Sequence, residues 1–158
     1  MELYFLRHGI AADVGPVGTG DAGRPLTGEG IAKINEEARG LRRLGIQLDA
    51  LMTSPLVRAQ QTADIVAAKL HLEAEVVEAL SPGFNIEKLK ELIDKHPSKK
   101  RFMFVGHEPD FSMLLSQLTG GSQILLKKGG LGRVDLEIVE EHVGTLVWLV
   151  PPRVLRDV

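Results

Sequence analysis

Residues 1–10 read MELYFLRHGI, and the fold turns on how this stretch is read. Leu3, Tyr4, Phe5 and Leu6 run without a polar break into Arg7, His8 and Gly9. A short, uninterrupted apolar run suits a parallel strand buried on both faces. Open α/β sheets hold their ligands outside the carboxyl ends of such strands. Arg7, His8 and Gly9 therefore either end a strand by chance or stand where the chemistry is done. A glycine after the histidine is expected to let backbone N–H groups come close to an anion.

The rest of the chain builds outward from that strand. Residues 102–105 form a second apolar run and end on Gly106, His107 and Glu108; residues 48–52 form a third and end on Thr53, Ser54 and Pro55. Thr27 is placed to cap a helix over about residues 28–44, with Ile31, Ile34, Ala38, Leu41 and Leu44 on one face. Glycines at 28, 30 and 40 work against that helix. Ser54 as cap and Pro55 at the first helical position open a second helix over residues 56–70. A short strand is expected over residues 76–80, a helix capped by Asn85 over 86–96, and another over 111–118. Val134, Leu136 and Ile138 alternate with polar neighbours, as do Leu146, Trp148 and Val150, which predicts a hairpin at the sheet edge. Residues 127–130 and Pro151-Pro152 read as loops. The expected architecture is a three-layer α/β/α sandwich, with a mostly parallel sheet and an antiparallel edge hairpin.

Composition narrows the function. A chain of 158 residues fits one domain. Its hydrophobic fraction of 44% and charged fraction of 25% are those of an ordinary globular protein. With no cysteine there is no disulfide and no thiolate metal site. A net charge of -2 gives no general attraction to nucleic acid. No apolar run approaches the ~20 residues of a membrane span, and no basic region precedes the first apolar stretch as a signal peptide requires. The expectation is a cytoplasmic protein with no nucleic-acid or membrane partner; oligomeric state is not legible.

Three strand ends thus bring polar groups to one edge. Alone, His8 reads equally as a half-buried histidine bonded to the backbone. Arg24 alone reads as a loop charge, and Arg58 as a solvated helix arginine. However, a cation in the first helical turn is unfavourable beside the helix dipole, and a bound anion there reverses the sign. His107 follows its strand as His8 does. His71, His96 and His142 lack such a context and are assigned no function. Two histidines with Asp13 or Asp21 offer a possible metal site. Three arginines would repel a metal, whereas guanidinium forks match phosphoryl oxygens. The expected site therefore holds no metal and no cofactor. In it a histidine nucleophile carries the phosphoryl group covalently and cations offset the charge of the transition state.

Leu6-Arg7-His8-Gly9, Arg24-Pro25-Leu26-Thr27, Ser54-Pro55 with Arg58-Ala59 and Thr62-Ala63, and Val105-Gly106-His107 occur in this order. Taken together, residues 3–150 resemble the histidine phosphatase superfamily, with its phosphoglycerate mutase-like fold, and within it the small SixA-type phosphohistidine phosphatases. The resemblance implies that His8 is the nucleophile, that Arg7, Arg58 and His107 form the phosphate pocket and that Arg24 assists. Larger members carry an acid in an inserted segment after the third strand. Here that stretch reads LSPGFN over residues 80–85, without an acid and without room for a helical cap. Residues 1–158 are therefore expected to form a single domain with no cap insertion. Glu78 and Glu108 are the candidate substitutes for the acid. At position 10 many members have an acidic residue, and here Ile10 stands.

An alkoxide needs a proton to leave, whereas a phosphohistidine imidazole is protonated on its own second nitrogen. The expected substrate is thus a phosphohistidine-bearing signalling protein. Hydrolysis of small phosphate monoesters and a non-catalytic phosphate-binding module are the alternatives.

Overall fold

Residues 2–6 pair with a neighbouring strand on each edge, and Leu3, Tyr4, Phe5 and Leu6 are buried on both faces of the sheet, as an apolar run without alternation requires. The computed structural model describes residues 1–158, with strands β1 (Glu2–Arg7), β2 (Ala50–Thr53), β3 (Ala74–Val76), β4 (Arg101–Gly106), β5 (Leu131–Asp135) and β6 (Thr145–Val150). They form one sheet in the order β3-β2-β4-β1-β5-β6. The first four are mutually parallel, while β5 is antiparallel to both β1 and β6. Helices α1 (Gly28–Arg43), α2 (Val57–Leu70), α3 (Ile86–Asp94), α4 (Asp110–Leu118) and α5 (Pro152–Asp157) cover it.

The pleat sorts each central strand between two cores. Leu3 and Phe5 of β1 join Phe102 and Phe104 of β4 on the side covered by α3 and α4. Tyr4 and Leu6 join Met103 and Val105 on the side covered by α1, α2 and α5. All eight of these side chains are buried. Phe5 packs at a tilt against Phe104 and meets Phe111 of α4 edge-on, with ring centroids 5.6 and 5.4 Å apart. The result is the expected three-layer sandwich, with an antiparallel pair at one edge.

Both capping expectations at α1 and α3 hold. Thr27 Oγ1 accepts the Gly30 N–H at 2.9 Å and Asn85 Oδ1 accepts the Lys88 N–H at 3.0 Å. Ser54 does not cap α2: the helix starts at Val57 with no side-chain cap, and the serine hydroxyl turns elsewhere. On α1, Ile34, Ala38 and Leu41 are buried but Ile31 and Leu44 are exposed. The strand expected over residues 76–80 lies earlier, at Ala74–Val76, and is followed by a 3-10 turn at Glu78–Leu80. Helix α3 ends at Asp94, short of residue 96. The first hairpin strand also lies earlier than its alternation suggested, because Leu131 pairs with Leu6 and extends the sheet toward the site.

Pro151-Pro152 is no loop. Pro152 opens α5, where its fixed φ and missing N–H suit the first turn. This helix explains a glycine that argued against α1. A Cβ on Gly40 would overlap the carbonyl of Leu155, so the glycine lets α5 lie directly on α1. No helix is long and apolar enough to cross a membrane.

Candidate active site

Strands β2, β4 and β1 are neighbours, so their carboxyl ends deliver Ser54, His107 and His8 side by side. The His8 N–H donates to the Gly106 carbonyl at 3.1 Å, and the Ser54 N–H to the Val105 carbonyl at 3.0 Å. The two imidazoles lie 5.3 Å apart between centroids. Arg58, in the first turn of α2, reaches the same point. His8, His107 and Arg58 are 7%, 4% and 6% exposed, so the Arg58 charge acts on the two rings with little screening.

The geometry sets the protonation of His8. Its Nδ1 lies 2.8 Å from the carbonyl of Gly9. A carbonyl only accepts, so Nδ1 carries the hydrogen and Nε2 keeps a lone pair. Arg58 Nε donates toward that Nε2 at 3.3 Å. Burial lowers the His8 pKa to about 3, opposed by the Gly9 carbonyl and reinforced by His107, Arg58 and Arg7. The ring is neutral at ordinary pH and presents an unprotonated nitrogen among cations.

His107 is fixed by Ser54. Its Nε2 lies 2.7 Å from Ser54 Oγ, and that oxygen also accepts the Leu56 N–H at 3.2 Å. If Ser54 donates its hydroxyl hydrogen to Nε2, one buried atom stays unpaired, the Nδ1–H. With the opposite tautomer, both the Ser54 hydrogen and the Nδ1 lone pair are stranded. Burying an unpaired polar group costs about 1–3 kcal/mol, which favours the first arrangement. Nδ1 is indeed buried without a partner. Burial pushes the His107 pKa down to about 4, with Arg58 adding and Asp110 and Asp21 opposing.

The arginines differ in how they are held. Arg7 Nη1 donates to the Leu126 carbonyl at 3.0 Å, and its Nε is buried and unpaired. Burial lowers its pKa, against the field of Glu108. Arg58 donates Nη1 to the Asp21 carbonyl at 2.9 Å and Nη2 to Asp21 Oδ2 at 3.0 Å. Arg24 donates Nη1 to Asp21 Oδ1 at 2.8 Å and Nε to the Ala12 carbonyl at 2.7 Å. Arg24 is thus joined to Arg58 through Asp21 and has no direct bond to either histidine. Those guanidiniums hold the Asp21 carboxyl below its usual range. The sequence suggested Asp21 only as a metal ligand; both its oxygens go to arginines. Asp13 lies in an exposed loop.

Gly9 corrects an expectation. Its N–H is already committed to Thr62 Oγ1 at 3.1 Å, so it is not offered to an anion. A Cβ there would press on Ile34, so the glycine lets the chain leave β1 beneath α1. Thr62, together with Gln61, whose Oε1 accepts the Leu26 N–H at 2.7 Å, ties α2 to both loops at the site. Sequence reasoning misses the roles of Ser54, Gln61 and Thr62 here, and that of Asp21 as a bridge between arginines. The available signal was spacing: Gln61 and Thr62 lie one turn beyond Arg58, and Asp21 three residues before Arg24.

The two candidate acids stand apart from the histidines. Glu108 accepts the Ser112 hydroxyl at 2.6 Å and the Ser112 N–H at 3.2 Å. Glu78 is exposed and accepts the Ser81 hydroxyl at 3.1 Å. Neither makes a hydrogen bond or ion pair with His8, His107 or Arg58. His71 ends α2 in the left-handed conformation, His96 packs its ring toward Phe102 and His142 is exposed in the β5–β6 turn.

Comparison with known proteins identifies the family. The profile of the histidine phosphatase superfamily (branch 1) matches residues 3–81. An uncharacterised protein of a Picosynechococcus strain is 35% identical over 137 residues, covering 83% of this chain and 82% of its own. Phosphohistidine phosphatase SixA of Escherichia coli is 26% identical over 158 residues, covering 96% and 94%. A solved structure of the protein histidine phosphatase SixA complexed with tungstate superposes with a TM-score of 0.85 at 26% identity, covering 98% of this chain and 99% of that one.

Proposed function

The chain belongs to the histidine phosphatase superfamily and is of the SixA type, and from that premise we propose that it removes the phosphoryl group from phosphohistidine on a partner protein. It is a phosphatase; the roles of its residues and its substrate are our reading. The observation that carries the reading is His8 Nε2, held unprotonated by the Gly9 carbonyl and faced by Arg58 Nε.

His8 Nε2 attacks phosphorus and the phosphorus–nitrogen bond of the substrate breaks. The leaving imidazole departs neutral, having been protonated on its other nitrogen. Arg58 turns its Nε–H from His8 to a phosphoryl oxygen, and the Arg7 Nε–H and His107 Nδ1–H, both buried and unpaired, take others. Arg24 assists through Asp21. Water then attacks phosphorus, the phosphorus–Nε2 bond breaks, phosphate leaves with the water's oxygen and both its hydrogens, and the Nε2 lone pair returns.

Support for phosphohistidine comes from where the carboxylates lie. Neither Glu108 nor Glu78 reaches the histidines, and a phosphoryl transfer between imidazoles needs no acid for an alkoxide. Residues 77–85, between β3 and α3, cross in a 3-10 turn and add no helical cap. An uncovered pocket admits a side chain borne on a protein. A second reading, hydrolysis of small monoesters with Glu108 as acid, has one observation in its favour: the Glu108 carboxylate acts electrostatically on Arg7. Turnover on a phosphohistidine protein is compared with turnover on aryl and sugar phosphates. The expected result is a large preference in kcat/KM for phosphohistidine; a preference for monoesters overturns the substrate assignment.

A further inference from the structure

The turn that carries Lys127 and Lys128 is fastened to the strand end of His8. The Gly129 N–H donates to the carbonyls of Arg7 and His8 at 3.0 and 3.2 Å, and the Arg7 N–H donates to the Gly130 carbonyl at 3.1 Å. Gly129 has φ 76, and a Cβ there would collide with the Glu37 carboxylate, so the turn is pressed onto α1. The two lysines therefore project from a fixed position beside the phosphate pocket.

They line a cleft of about 390 Å³ that shares Arg7 with that pocket. Its cations are unequally neutralised. Lys33 is paired with Glu29 and Arg156 with Glu37. Arg7, Lys127 and Lys128 have no acidic partner within ion-pair distance. Glu37, the one carboxylate lining the cleft, is 2% exposed and committed to Arg156. Ile10 and Leu125, the latter 71% exposed, add apolar surface. An unpaired positive field on a chain of net charge -2 is local and meets a negative partner. The flexible stems of lysines suit carboxylates of varied placement better than one rigid fork.

We propose that this cleft binds an acidic segment of the partner protein next to its phosphorylated residue, so that Arg7 reads the phosphoryl group while Lys127 and Lys128 read flanking Asp or Glu side chains. The proposal rests on the phosphatase reading above and adds the class of partner. Exposed pairs of this kind are individually weak and screened by salt.

The test uses two synthetic phosphohistidine peptides of equal length, one flanked by aspartates and one by serines, and the matching phosphoserine pair. The expected result is a five- to tenfold higher kcat/KM for the acidic phosphohistidine peptide at low ionic strength. That ratio falls toward one in 0.5 M salt and in the double variant Lys127→Ser, Lys128→Ser. Equal rates on the two peptides, or a ratio that the double variant leaves intact, overturn the cleft. If no phosphohistidine peptide is turned over, the substrate assignment fails instead. The acidic-to-neutral ratio on the phosphoserine pair then decides the cleft by the same criterion.

Discussion

Arg58 aims its Nε–H at the Nε2 of His8, 3.3 Å away, from a different strand–helix unit of the same sheet. In the function proposed above, the nitrogen that attacks phosphorus thus rests against the group that holds the phosphoryl oxygen. Arg58→Ala is expected to lower kcat about a hundred- to a thousandfold, the range for losing a preorganised transition-state donor. Its partner Asp21 is 59% exposed and can return to water, so the melting temperature should move by only a few degrees. Arg58→Lys should not restore turnover, because an ammonium lacks the fork that spans His8 and Asp21. A loss of folding that matches the loss of rate would return Arg58 to a structural role.

Two buried neutral histidines make a prediction about acid. His8 and His107 have pKa values of about 3 and about 4 in the folded chain and about 6.5 when unfolded. Between those limits the unfolded chain binds more protons, so stability rises with pH and is lost as pH falls below about 6.5. Glu37 runs the other way: burial raises its pKa to about 7, and its contribution fades as pH rises from about 4.5 toward 7. Urea midpoints of wild type and His107→Asn, taken from pH 7 to pH 4, separate the two. The variant should lose less stability across that window, by up to a few kcal/mol. Turnover should likewise persist below pH 6, since the nucleophile stays unprotonated. Parallel stability curves would contradict the neutral assignment of His107.

Ser54→Ala removes the donor that keeps His107 Nδ1 protonated. The expected loss in kcat is about ten- to a hundredfold with the fold retained. Ring nitrogen chemical shifts of His107 should show the Nδ1–H tautomer in the wild type and a mixture in the variant. An unchanged tautomer would show that Ser54 does not set it.

Gly40→Ala tests the packing of α5. In an exposed helix this change stabilises by about 0.5–1 kcal/mol. Here the new Cβ meets the Leu155 carbonyl, and overpacking of this kind costs about 1–3 kcal/mol. A lower denaturation midpoint is expected. A higher one would mean that α5 lifts away freely.

The central sheet and its site were legible for one physical reason. Strands buried on both faces cannot alternate, so residues 3–6 and 102–105 marked β1 and β4, and the polar residues that ended them marked the pocket. Position in the chain was enough to bring His8, Arg58 and His107 together. Partners were not legible, since a hydrogen bond between Ser54 and His107, or between Asp21 and Arg58, leaves no local pattern. Gly9 and Gly40 misled because a glycine's cause lies in the neighbour it admits, Ile34 in one case and Leu155 in the other. The lysine turn at residues 127–130 read as a loop, which it is, but nothing in the sequence tied it to the backbone of His8.

The account stands on His8 as the covalent carrier. A protein bearing radiolabelled phosphohistidine is mixed with the enzyme, quenched in alkali within the first turnover, and the enzyme digested. The account predicts label on the peptide containing His8, stable to base and lost in acid, and none in His8→Ala. Turnover of the substrate by the wild-type enzyme with no label retained, or with label on another residue, would contradict it.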